Sequence, residues 1–100
     1  MNLKILPSAL EDLRRGWRFY EKQQVGLGDY FQDSLFSDID SLVLYAGVHR
    51  VVHGYHRLLS KRFPYAVYYQ VEDEEVVVVW RVLDLRQKPE SIRDGLGGMI

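Results

Sequence analysis

Residues Tyr55 to Arg86, YHRLLSKRFPYAVYYQVEDEEVVVVWRVLDLR, constrain the fold more than any other stretch of this chain. β-Branched and aromatic residues crowd into short runs separated by charged breaks, which is the pattern of consecutive strands. Val76 to Val79 are four valines in a row, and Trp80 and Val82 prolong the run. Such a strand meets apolar neighbours on both faces, as a central strand does. An aspartate in place of Val78 is therefore expected to prevent folding, because it puts an unpaired carboxylate where apolar contact is required.

The amino-terminal half must supply the cover for this sheet. Asn2 to Leu6 alternates around Leu3 and Ile5 and stops at Pro7, which predicts a strand added from the amino end. Ser8 to Glu11 has the spacing of a capping box and predicts the start of a helix. Leu10, Leu13, Trp17 and Tyr20 then recur at helical intervals, and Gly16 marks a close approach to a neighbour. Gln23 to Gly28 reads as a turn. From Asp29 to Ala46 a second helix is expected, with Phe31, Leu35, Ile39, Leu42 and Ala46 on one face, Phe36 and Val43 widening it, and Gly47 as its cap. Joined by so short a turn, the two helices form an antiparallel hairpin with both apolar stripes on one face of the sheet.

The carboxy-terminal half reads as strands with one interruption each. Val48 to Gly54 is a loop or a short strand entry. Tyr55 to Ser60 and Tyr65 to Val71 make a hairpin around Lys61-Arg62-Phe63-Pro64, with Phe63 folded back into the core and Pro64 stiffening the next strand. Tyr65, Val67, Tyr69 and Val71 alternate onto a core face. Ala66, Tyr68 and Gln70 fall on the other, which reads as a shallow exposed floor. The register across the hairpin, and with it the face of Arg57, stays open. Glu75 to Leu83 carries one charge in its apolar body, Arg81, whose simplest explanation is an ion pair with Asp84 or with an acid of the second helix. A short helical turn around Glu90 to Leu96 fits the tail, and Gly95, Gly97 and Gly98 predict a frayed end.

With 100 residues, 47% of them hydrophobic, the chain makes one core, and residues 1–100 read as a single domain. There is no cysteine, which removes disulfides, thiolate metal sites and cysteine nucleophiles. No apolar run approaches the roughly 18 residues of a membrane span, and the Met-Asn-Leu-Lys start lacks the apolar segment of a signal peptide. A soluble, cytoplasmic protein is expected. The formal net charge of -1 conceals a division, since no acidic residue lies between Asp40 and Glu72 whereas Arg50, Arg57, Lys61, Arg62 and all three histidines do. Charge alone favours a solvated, aggregation-resistant hairpin edge over a phosphate surface. His49, His53 and His56 have the spacing of metal ligands on a helix, but Gly47, Gly54, Val51 and Val52 argue against a helix there, so no metal and no cofactor are expected.

The order strand, helix, helix and three strands is combined here with Arg57, Lys61-Arg62-Phe63-Pro64-Tyr65, Tyr68-Tyr69 and the basic tail Leu85-Arg86-Gln87-Lys88-Pro89. This combination resembles the RelE/ParE superfamily, the toxin halves of bacterial type II toxin–antitoxin pairs, over nearly the whole chain. The resemblance implies an α+β fold with helices on one face of the sheet, and a toxin silenced by a cognate antitoxin, as a homodimer or a heterotetramer with it. RelE-like members cut messenger RNA in the ribosome, whereas ParE-like members poison DNA gyrase without cutting. For a nuclease, Arg57, Lys61, Arg86 and Lys88 match the family's cations, with His56 as a substitute acid or base. Ala66 and Ile92, however, stand where such an enzyme places an arginine and a tyrosine. The missing acid–base groups favour the ParE-like reading. Arg57, Lys61, Arg62, Arg81, Arg86, Lys88 and Tyr68 then form a surface for the target or the antitoxin. An inert relative that only binds its antitoxin is the third reading.

Overall fold

The computed structural model describes residues 1–97. The valine run becomes β5 (Val76–Asp84) of a five-stranded sheet ordered β1-β5-β4-β3-β2. β1 (Asn2–Ile5) lies parallel to β5 on one side, and β4 (Tyr65–Glu72) lies antiparallel on the other. β3 (Tyr55–Leu59) and the two-residue β2 (Val51–Val52) complete the sheet. His53 and Gly54, with φ of 54° and 84°, join β2 to β3 through a tight turn that requires left-handed backbone at both positions.

Helix α1 (Pro7–Gln23) begins differently from the capping-box expectation. Leu6 is its N-cap and Pro7 its first residue, and the Ser8 hydroxyl instead donates to the Trp80 carbonyl at 2.7 Å. Proline presets the first helical φ and has no amide to satisfy, so the serine is released for another task. That task is at the sheet edge. β1 ends opposite Val79, and the next backbone groups of β5 are met by α1 side chains: Ser8 at Trp80, and Asp12 accepting the Val82 amide at 3.0 Å.

The buried face of α1 is Ala9, Asp12, Leu13, Gly16 and Tyr20, rotated slightly from the expected stripe, with Leu10 and Trp17 only half-buried. Gly16 is a close approach, as expected, since a Cβ there would stand 2.5 Å from the Phe31 ring. Helix α2 (Leu27–Asp40) starts without a capping serine or aspartate. The Glu21 carboxylate reaches forward from α1 and accepts the amides of Gly26 and Gly28 at 3.0 and 2.9 Å. The single second helix expected up to Ala46 is interrupted at Ser41, and a one-turn α3 (Leu42–Tyr45) follows. The Ser41 hydroxyl donates back to the Asp38 carbonyl at 2.6 Å, a bond that competes with helix continuation. Leu42 stays buried, but Val43 faces solvent and does not widen the core face. Gly47, at φ 93°, ends the segment as expected.

Phe31, Leu35, Ile39 and Leu42 pack on Tyr65, Val67, Tyr69, Val77, Val79 and Val82, so the odd positions of β4 face the core. Phe63 folds back onto Tyr20 and Phe31, with ring centroids 4.9 and 5.1 Å away. A β-bulge explains how β5 changes parity. Tyr68 pairs with Arg81 and Tyr69 with Val79, which leaves Trp80 as the extra residue. Without it, Arg81 would point into the helix-covered core.

The other face of the sheet corrects a second expectation. Ala66 and Tyr68 are 0% and 1% exposed, not a bare floor. Helix α4 (Pro89–Gly95) folds back across this face, and Ile92 and Leu96 cluster with Tyr55, Ala66, Tyr68 and Leu83. The tail expected to fray is ordered there, because those apolar side chains lose water only if something roofs them. Gly97, at φ 96°, follows the helix, while Gly98 lies outside the described residues.

Candidate functional site

The hairpin register sets Arg57 opposite Tyr68, and Tyr68 opposite Arg81, so these three residues form one row on the α4 face. Burial pushes the Tyr68 hydroxyl up from its ordinary pKa, and the neighbouring Arg57 guanidinium partly offsets that shift. Arg81 is committed elsewhere. Its Nε and Nη2 donate to the two carboxylate oxygens of Asp12 at 2.7 and 2.8 Å, and Nη1 donates to the Gly95 carbonyl. The partner expected for this charge was Asp84 or an acid of the second helix; the structure gives Asp12 of the first. A side chain only 24% exposed and bound by a forked ion pair fastens α1 and α4 to β5.

Lys61, Arg62, Arg86 and Lys88 gather at the end of the sheet that carries the β3–β4 turn and the exit from β5. The Leu85 amide donates to the Pro64 carbonyl at 2.8 Å and ties those two segments together. Arg62 lies 6.0 Å over the Tyr30 ring and donates to its hydroxyl at 3.1 Å. Arg86 lies 5.5 Å over Phe19, forks onto Asp84 at 3.0 and 2.8 Å, and donates to the Tyr20 hydroxyl at 3.3 Å. Burial alone would raise Asp84, but the side-chain and backbone hydrogen bonds from Arg86 outweigh it and hold the carboxyl below its usual range. Lys88 is exposed at the N-cap of α4. A cleft of about 320 Å³ opens beside this end between α1 and the sheet, lined by Asp12, Gly16, Phe19, Tyr65, Asp84 and Gln87 among others. Both of its carboxylates are held by arginines.

His56 falls on the opposite face of the sheet from Arg57. Its ring stacks on Tyr69 at 5.1 Å, and its Nδ1 donates to the His49 carbonyl at 2.7 Å. The Tyr69 hydroxyl accepts the Gly47 amide at 2.9 Å and shares a short hydrogen bond with His49 Nδ1. This cluster pins the loop between α3 and β2, and His53 takes no part in it. Charging the half-buried His49 ring in this cluster costs solvation, which favours its neutral form. Burial, then the charge of His56, lowers the His49 pKa from its ordinary value of 6.5. The sign follows from the unfolded chain binding the proton more readily, so stability is complete above about pH 6.5 and declines as pH falls below it. Urea midpoints at pH 7.5 and 5.5 should show this decline, and His49→Asn should flatten it; an unchanged slope in the variant would remove His49 as the cause.

Sequence reasoning missed Asp12, Glu21 and the Tyr69–His49 pair. A signal for the first was present, because a lone arginine in an apolar strand demands a carboxylate, and Asp12 follows Ser8 by one helical turn. Among the described residues no helix is long and apolar enough to cross a membrane, and no group of histidines and carboxylates is arranged to hold a metal.

The comparisons with known proteins agree with this architecture. No curated protein matches the chain in sequence. A solved structure described as the chromosomal ParDE TA system from P. aeruginosa contains a chain with the same fold, at a TM-score of 0.78 and 20% identity, covering 86% of this chain and 97% of that one. Residues 3–89 match the family described as the ParE toxin of the type II toxin–antitoxin system parDE. The match spans the strand, the helical hairpin and the whole antiparallel sheet, and the chain accordingly belongs to the ParE toxin family.

Proposed function

We propose that this toxin arrests growth in the cytoplasm by binding DNA gyrase, cuts no nucleic acid itself, and is neutralised by a cognate antitoxin. One observation carries the reading: the strand arginines Arg57 and Arg81 are separated by the sheet from His49, His56 and Tyr69. Cleavage of RNA by its own 2′-hydroxyl needs a base, an acid and cations around one phosphate. Arg57 and Arg81 are on the α4 face, whereas His49, His56 and Tyr69 belong to the helix-covered side. Tyr55 and Tyr68, which share a face with Arg57, are 3% and 1% exposed beneath α4, and burial raises both hydroxyls. A phosphate held at Arg57 therefore has no exposed acid–base pair beside it on that face.

Lys61, Arg62, Arg86 and Lys88 remain as the surface for the target, and an acidic antitoxin segment would compete for them. Induced expression without antitoxin is the test. Filamentation with DNA-damage signalling is expected, whereas rapid loss of translation with cut messages would establish the ribosomal alternative, and normal growth with soluble protein present would establish an inert relative. Arg86→Ala combined with Lys88→Ala should weaken the arrest at least about tenfold in inducer dose while the far-UV spectrum stays native, since both lie outside the sheet ladder. Full arrest by the double variant would take this end of the sheet out of the target contact.

A further inference from the structure

We propose that the same end of the sheet holds a single strand of nucleic acid, gripping its phosphates and stacking its bases without cutting it. Phe19 and Tyr30 are 47% and 46% exposed, unusual for rings continuous with the core. They are the two ends of an unbroken aromatic row. Phe19 meets Tyr20 at 5.0 Å, Tyr20 meets Phe63 at 4.9 Å, and Phe63 meets Tyr30 at 5.5 Å. Each end ring carries a guanidinium, Arg86 over Phe19 and Arg62 over Tyr30. Planar cations on aromatic supports, repeated along an edge, combine the stacking surface and the backbone charge that single-stranded nucleic acid recognises.

The charge distribution limits the site to this place. Arg86 shares its charge with Asp84 and the Asp38 carboxylate accepts the Lys61 amide at 3.4 Å, but among the described residues no carboxylate pairs with the side chains of Lys61, Arg62 or Lys88. The acidic turn Glu72 to Glu75 lies at the far end of the same strands. A chain of formal net charge -1 is thereby electrically polarised along the sheet, and repels phosphate at one end while attracting it at the other. An acidic protein would need only the free cations. The two exposed rings, each under a guanidinium, add the flat surface on which bases stack. In the gyrase reading, on which the biological setting of this site rests, a strand of DNA is already at hand beside the target.

The test is fluorescence anisotropy of a labelled oligothymidylate of about 12 nucleotides with the purified toxin and no gyrase, over a salt series. Binding at low salt is expected, weakening with a log–log slope of about 2 for three cations at about 0.7 each. Arg62→Gln should reduce that slope by about 0.7. Tyr30→Leu should leave the slope unchanged and weaken binding at least about fivefold, as loss of one stacked base does. Both side chains are exposed, and native thermal melts would certify the variants. Absence of binding at low salt would overturn the proposal, as would an affinity indifferent to Tyr30. Tighter binding of labelled polyglutamate than of oligothymidylate would also overturn it, and would assign the surface to an acidic protein. Because gyrase is absent from the assay, a negative result leaves the gyrase reading standing, and a failure of gyrase inhibition leaves the oligonucleotide result intact.

Discussion

Val79→Asp should yield no folded protein. Val79 is fully buried in the strand that every layer of the molecule uses, in register with Ile5 on one side and Tyr69 on the other, beneath the helices. A carboxylate there has no donor to meet it, and the expected loss exceeds about 4 kcal/mol, comparable with the whole stability of a small domain. Val78→Asp, which the sequence alone marked as equally disruptive, should be milder. Although Val78 is only 3% exposed, its neighbours in register are Lys4 and Gln70, an ammonium and an amide that can meet the new charge. Circular dichroism and soluble yield of the two variants compare them directly. Equal collapse of both would mean that Lys4 and Gln70 do not reach the new charge.

Asp12→Ala should cost about 3 to 5 kcal/mol, the range for removing one partner of a buried pair. The Asp12 side chain is 3% exposed, and its oxygens serve Arg81, the Val82 amide and, at 3.4 Å, Arg15. Removing it strands a guanidinium and a backbone amide together. Arg81→Met added to Asp12→Ala should recover part of the loss, because the unpaired charge goes with it, and urea unfolding of the four proteins in the cycle measures the recovery. Penalties that simply add would mean that the pair does not act as a unit. The protonated state of Arg81 is itself favoured by this bond, which raises its pKa above the ordinary value.

Much of the fold was legible because it is written in local patterns. The period-two alternation of Tyr65 to Val71 assigned its core face, Gly16 announced its close neighbour, and the order of elements gave the α+β class. What failed depended on distant partners. Ser8 looks like a helix cap until the open edge of β5 is seen to need its hydroxyl, and Arg81 cannot name Asp12 from sequence, 69 residues away. Ala66 and Tyr68 looked exposed because a seven-residue α4 after a proline carries too weak a periodicity to be read as a roof. Of the site, the cations Lys61, Arg62, Arg86 and Lys88 were legible as residue types, and their gathering at one end followed from the hairpin. Their aromatic supports, Phe19 and Tyr30, were hidden inside helices where a ring reads as core.

The parallel pairing of β1 with β5 bears on when this toxin comes into being during synthesis. Among the described residues Asn2 to Ile5 find their strand partners at Val76 to Val79, so a segment made early waits for one made much later. The clasp of Asp12 on Arg81 and Val82 lies later still. Closing so long a loop is slow, and none of it can begin while β5 is inside the exit tunnel. The parallel edge of the sheet and the clasp that locks α1 to it therefore form only after β5 has emerged, and the helical hairpin must wait for the layer it covers.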